Sequence, residues 1–223
     1  MSIISNVKEF ENLAREKKIK VAAVSKTKPN QDIMEAYQAG QRLFAENKVQ
    51  ELTDKFESLP KDIEWHMIGH LQRNKVKYIA PFVNLIHSID SAKLLKEVNK
   101  QGAKVKRKIP CLLQVHIAKE ESKFGFSQEE LEHLFQSAEI KDYHNVMIKG
   151  LMGMATFTED ENIIRSEFKY LNELFDKLKS FEAENVSFQE LSMGMSGDYP
   201  IAIEEGSTII RVGSAIFGER NYN

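Results

Sequence analysis

Residues 146–194 read VMIKGLMGMATFTEDENIIRSEFKYLNELFDKLKSFEAENVSFQELSMG, and their reading decides the fold. VMIKGLMGMA (146–155) and VSFQELSMG (186–194) are short, largely apolar runs. Apolar continuity, rather than strict alternation, marks strands covered on both faces. Between them Ile164, Phe168, Leu171, Phe175 and Leu178 recur every three or four residues, the stripe of an amphipathic helix. Thr158-x-x-Glu161 offers a capping box at its start. Strand, helix and strand in this order, with both strands largely apolar, are as expected of parallel strands covered by helices.

Outward from this unit the same alternation fills the chain. IKVAAVSK (19–26), RLFAE (42–46), EWHMIG (64–69), NLIHSID (84–90), IPCLLQVHI (109–117) and TIIRVGSAIFG (208–218) are further strand runs. Ser127-x-x-Glu130 is a second capping box, and Ser91 precedes the apolar positions Leu94, Leu95 and Val98. Val7, Phe10, Leu13 and Ala14 place one extra helix before the first strand. Eight strands alternating with helices predict an α/β fold, a single (β/α)8 TIM-type barrel; an open doubly wound sheet is the competing arrangement. No linker or composition break divides residues 1–223, which read as one domain.

Composition narrows the function. An apolar fraction of 42% and a charged fraction of 29% suit a globular protein. The net charge of -2 argues against a nucleic-acid or anionic-membrane partner, and KVKRK (104–108) reads as a solvated connection. A lone cysteine, Cys111, excludes an internal disulfide framework and a cysteine-based zinc site, and suits a reducing cytosol. The charged N-terminus lacks a secretory apolar core and no run is long enough to span a bilayer, so a cytoplasmic location is expected.

Barrel chemistry gathers where strands end. The strand ends supply Lys26, Asn47, His70, Ser88, Asp90, His116, Met152, Met154 and Thr156, then Ser192 to Gly197, and finally Arg211, Gly213 and Ser214. A lysine closing the apolar run VAAVS points into the mouth, where desolvation lowers an amine's pKa and frees it for imine formation. SMGMSGDYP (192–200) offers backbone N–H groups and the Ser196 hydroxyl to an anion, and Gly213 with Ser214 offers a second approach. Taken singly, these are a strand-terminal lysine and two glycine turns. Loops after the seventh and eighth strands are this fold's usual phosphate grip, so together they imply a phosphorylated carbonyl ligand.

The stretches VAAVSKTKP (21–29), FAENKVQE (44–51), WHMIGHLQRNK (65–75), HSIDS (87–91), ESKFGF (121–126), GLMGMAT (150–156), LSMGMSGDYPIAI (191–203) and TIIRVGSAIFG resemble the pyridoxal phosphate homeostasis proteins in order and spacing. The resemblance covers nearly the whole chain. It implies the fold type III barrel of the alanine racemase N-terminal domain, with pyridoxal 5′-phosphate as cofactor in a Schiff base on Lys26. It also implies Arg211 at the pyridine nitrogen, Ser196, Gly197, Gly213 and Ser214 around the phosphate, and Asn47, Met67 and His70 beside the ring and its 3′-oxygen.

Arginine donates only and stays protonated, so at that place it leaves the ring nitrogen unprotonated; this disfavours chemistry that needs a strong electron sink but is compatible with racemisation. Racemisation needs acid/base groups on both faces. In alanine racemase the second is a tyrosine from a further domain, which this chain, ending at Asn223, is expected to lack; Tyr199 is the tyrosine nearest the candidate residues. The expected function is therefore non-enzymatic: a monomer that holds, buffers and supplies the cofactor, with PLP-requiring apoenzymes as partners. A PLP-dependent amino-acid racemase and a cofactor-free Schiff-base aldolase are the rivals. No metal site is expected: His66 and His70 are four residues apart but strand-like, and His116 reads as filling the barrel mouth. His87, His133 and His144 show no convergent partner, and the methionine pairs 152/154 and 193/195 read as barrel filling.

Overall fold

The strand runs pair each with the next, all parallel, and the last returns to the first. The computed structural model describes residues 2–118 and 124–219. Its strands are β1 (Lys20–Val24), β2 (Leu43–Glu46), β3 (Glu64–Met67), β4 (Leu85–Ile89), β5 (Ile109–Gln114), β6 (Val146–Met152), β7 (Val186–Ser192) and β8 (Ile209–Val212). They close a barrel in sequence order, sealed by Ala22 opposite Arg211 and Ala23 opposite Val212. An open sheet is excluded. Every predicted run contains its strand, although β1 stops at Val24, so Lys26 lies in the turn beyond it.

The helices are α1 (Ile3–Lys17), α2 (Asn30–Gln38), α3 (Val49–Ser58), α4 (Val76–Ile79), α5 (Ala92–Val105), α6 (Gln128–Gln136), α7 (Glu161–Leu178), α8 (Tyr199–Glu204) and α9 (Ser214–Phe217). Ser91 caps α5, and Ser127 with Glu130 forms the reciprocal capping box of α6. Helix α7 corrects the reading of Thr158 as its cap. Asp160 is the N-cap, accepting from the Asn162 amide, while the Thr158 hydroxyl accepts from the Asp160 amide just outside the helix. Either side chain can satisfy orphan amides at a helix start, and the carboxylate two residues on takes the place.

Two apolar layers result. Alternate strand residues such as Phe44, Trp65 and Met67 face outward, in one buried cluster with Leu52, Leu94 and Phe168 of the helices. The other set, Ala22, Val24, Ala45, Leu85, Leu112, Met152 and Ile209, comes from strands only and fills the interior. Within KVKRK, Arg107 is not a solvated connector: its guanidinium donates to the carbonyls of Ala80 (2.6 Å) and Val83 (3.0 Å), fastening the turn before β4.

Candidate cofactor site at the barrel mouth

A cavity of about 770 Å³ opens where the strands end. Lys26 and Lys28 reach it from the turn after β1, Asn47 from just beyond β2 and Ile68 from just beyond β3. Met154 to Thr158 come from the loop after β6, Met195 to Asp198 from the loop after β7, and Arg211, Gly213 and Ser214 from β8 and its end. The structure thus brings together Lys26, Asn47, Ser196, Gly197, Arg211, Gly213 and Ser214.

Two expected residues lie elsewhere. Met67 is fully buried and faces the helix layer, because alternation along β3 turns His66 and Ile68 inward instead. His70 lies in a separate surface depression with Gln72 and Arg73, bonded to Asp90 Oδ2 at 3.0 Å and set against the Phe124 ring. Ile68 stands where Met67 was expected. Lys28, Met154, Thr156 and Asp198 also join the lining without having been singled out as binding residues. In ESKFGF, Glu121, Ser122 and Lys123 lie outside the described residues.

The loops after β7 and β8 meet on Ser196. Its Oγ accepts from the amides of Gly213 (3.2 Å) and Ala215 (3.5 Å), so two N–H groups converge on one edge of the cavity. Asn47 Oδ1 is buried and has no hydrogen-bond partner among the described residues. Gly69 sets that position: a Cβ there would collide with the Asn47 backbone, so only glycine lets β3 pass so close. Lys28 is committed to structure, its ammonium donating to the carbonyls of Phe217 (3.0 Å), Glu219 (3.3 Å) and Gly218 (3.4 Å).

Arg211 forms the cavity floor, buried with its guanidinium donating to Ser192 Oγ (2.7 Å) and to the Gly153 carbonyl (3.0 Å). Burial pulls it down to about 10 against the opposing pull of the Asp198 carboxylate, which still leaves a cation at neutral pH. Burial likewise raises Asp198. Below Arg211 the chain of contacts continues, Ser192 Oγ to His87 Nδ1 at 2.9 Å and His87 Nε2 to His66 Nδ1 at 2.9 Å. His87 therefore does have partners. Arginine only donates, so assigning the Ser192 hydrogen to His87 Nδ1 puts the His87 proton on Nε2, facing His66. Burial holds both imidazoles neutral: His66 falls to about 3 and His87 well below 6.5, with His66 and Arg211 adding to the effect on His87.

Comparison with known proteins shows the family and the fold. The family described as "Alanine racemase, N-terminal domain" matches residues 1–221. A pyridoxal phosphate homeostasis protein of Aquifex aeolicus is 42% identical over 91% of this chain and 88% of its own length. One of Haemophilus influenzae is 41% identical over 92% and 86%. The chain belongs to this family. PipY of Synechococcus elongatus, solved without PLP, superposes with a TM-score of 0.90 at 32% identity, over 97% of this chain and all of that one. The same protein with PLP bound gives 0.84. An alanine racemase from Bartonella henselae shares the fold, with a TM-score of 0.72 at 17% identity, over 99% of this chain and 61% of its own.

Proposed function

We propose that this chain binds pyridoxal 5′-phosphate, anchors its aldehyde on Lys26, and serves vitamin B6 homeostasis by holding and releasing the cofactor without dedicated turnover. One observation carries the reading: Lys26, the orphaned Asn47 acceptor, the Arg211 cation and the Ser196–Gly213 amide cluster all line one cavity. Ser196, Gly197, Gly213 and Ser214 would surround the phosphate, and Arg211 would face the ring nitrogen as a donor that cannot protonate it. When bound, the cofactor supplies a reactive aldehyde and an electron-accepting ring.

The lining supports storage over racemisation. Among the described residues it contains neither tyrosine nor histidine, and Lys28 is spent on carbonyls. Tyr199 is turned to Phe10 of α1, ring centroids 5.4 Å apart. The same reading makes the chain a cytoplasmic monomer serving PLP-requiring apoenzymes. Burial lifting the Cys111 thiol to about 12 suits a reduced state, and no helix among the described residues is long and apolar enough to cross a membrane.

The test is the visible spectrum of the full chain with added pyridoxal phosphate, beside Lys26→Ala, and borohydride trapping followed by peptide mapping. A visible band that the variant loses, with the label on Lys26 and no chiral turnover of alanine, serine or glutamate, is the expected result. A robust racemase activity that disappears with Lys26 would overturn the homeostasis reading.

A further inference from the structure

Two peptide planes flank the Cα of Lys26, and both are tied to one pair of side chains on α3. The Ser25 carbonyl accepts from Lys55 Nζ at 2.8 Å, and the Thr27 amide donates to Glu51 Oε1 at 2.7 Å. Lys55 and Glu51, one turn apart, are joined to each other at 2.6 Å. Lys55 also reaches Glu46 Oε1 at 2.8 Å, and that oxygen accepts from the Ser25 hydroxyl at 2.6 Å.

This is a buried arrangement, with Lys55 5% and Glu46 0% exposed. A lysine is seldom so buried unless its charge is matched, and here two carboxylates and a carbonyl match it. Burial raises Glu46 while Lys55 pulls it back down. Thr27 supplies an independent sign of constraint. Its φ of 65° is left-handed, a conformation that a β-branched residue adopts only where its surroundings impose it. The strained residue is next to Lys26, and the Glu51 carboxylate holds its amide.

We propose that Glu51 and Lys55 are positioning residues for Lys26, a clamp that fixes the backbone on both sides of the lysine and so aims its amine into the cavity. Through Glu46, which precedes Asn47, the clamp also locks the turn after β1 to the turn after β2. Neither Glu46 nor Ser25 is among the residues lining the cavity. The inference rests on Lys26 being the cofactor anchor.

The experiment titrates the full chain with pyridoxal phosphate, reading the visible-band Kd and the rate of borohydride trapping on Lys26, alongside thermal melting without cofactor. Glu51→Ala is expected to weaken Kd about tenfold, the scale of one charge-assisted hydrogen bond, and to slow trapping. Glu51→Gln keeps an oxygen for the Thr27 amide and is expected to restore most of both. Lys55→Met strands a buried carboxylate and risks misfolding, so Glu51, which is only partly buried, carries the test. A folded Glu51→Ala protein with wild-type Kd and wild-type trapping, whatever its melting point, would overturn the clamp while leaving the anchor intact. A wild-type chain that shows no band in excess cofactor would instead overturn the anchor, and the clamp with it.

Discussion

The buried His66–His87 pair makes folding stability sensitive to mild acid. Unfolded, each imidazole titrates near 6.5; folded, His66 titrates near 3 and His87 well below 6.5. Below about 6.5 the unfolded chain binds protons that the folded one refuses, so stability falls as pH falls and is fully present only above that value. Between about pH 7.5 and about pH 5.5 His66 alone removes about 1.4 kcal/mol, and His87 acts in the same direction. Protonating either would also place a new cation in the Arg211–Ser192 chain. Glu46 and Asp198, raised by burial, act in the opposite sense, so the useful quantity is a difference between proteins that both keep them. The assay is urea unfolding of the cofactor-free chain at both pH values, comparing wild type with His66→Leu/His87→Gln, whose amide can still accept from Ser192. The wild type should lose at least about 1.4 kcal/mol more than the variant across the interval. Equal losses would refute neutral, buried imidazoles.

Ser192→Ala strips Arg211 of one acceptor and His87 Nδ1 of its partner, and should cost about 3 kcal/mol in denaturant unfolding with an unchanged m-value. A cost under about 1 kcal/mol would mean that Arg211 is held without it. Asn47→Ala should weaken pyridoxal phosphate binding about tenfold, whereas His70→Ala should change Kd less than about twofold, since His70 lies outside the cavity. Equal effects would place His70 back at the ring. Ser127→Ala breaks the α6 capping box and should lower stability by about 1 kcal/mol, read as a shift in the urea midpoint, with cofactor affinity unchanged.

The barrel was legible because strands covered on both faces are apolar almost throughout, and because the α7 stripe keeps a clean helical period. The same property hid the inward face of β3. Trp65, Met67 and Ile68 are all apolar, so nothing in EWHMIG shows that Ile68 rather than Met67 points into the barrel. Lys26, Arg211 and the two glycine loops were readable from strand ends alone, where topology dictates convergence. The His87 contacts were not, since its partners are 21 and 105 residues away and only barrel closure joins them. Lys55 reads as an ordinary helix-surface lysine, and its burial depends on Glu46 arriving from a different element.

Helix α1 has a consequence in time. Asn6 Nδ2 donates to the Ile216 carbonyl of α9 across 210 residues, and Phe10 meets Tyr199, the first residue of α8. The two short helices that follow the Ser196 and Gly213 loops are therefore braced by residues that leave the ribosome long before them. During synthesis α1 can pack early on α2 and β1, but its contacts to α8 and α9 must wait until those helices have emerged. The amide cluster around Ser196 takes its final shape only at that moment. The Gly213 and Ala215 amides that converge on Ser196 are thus among the last parts of the barrel to be assembled.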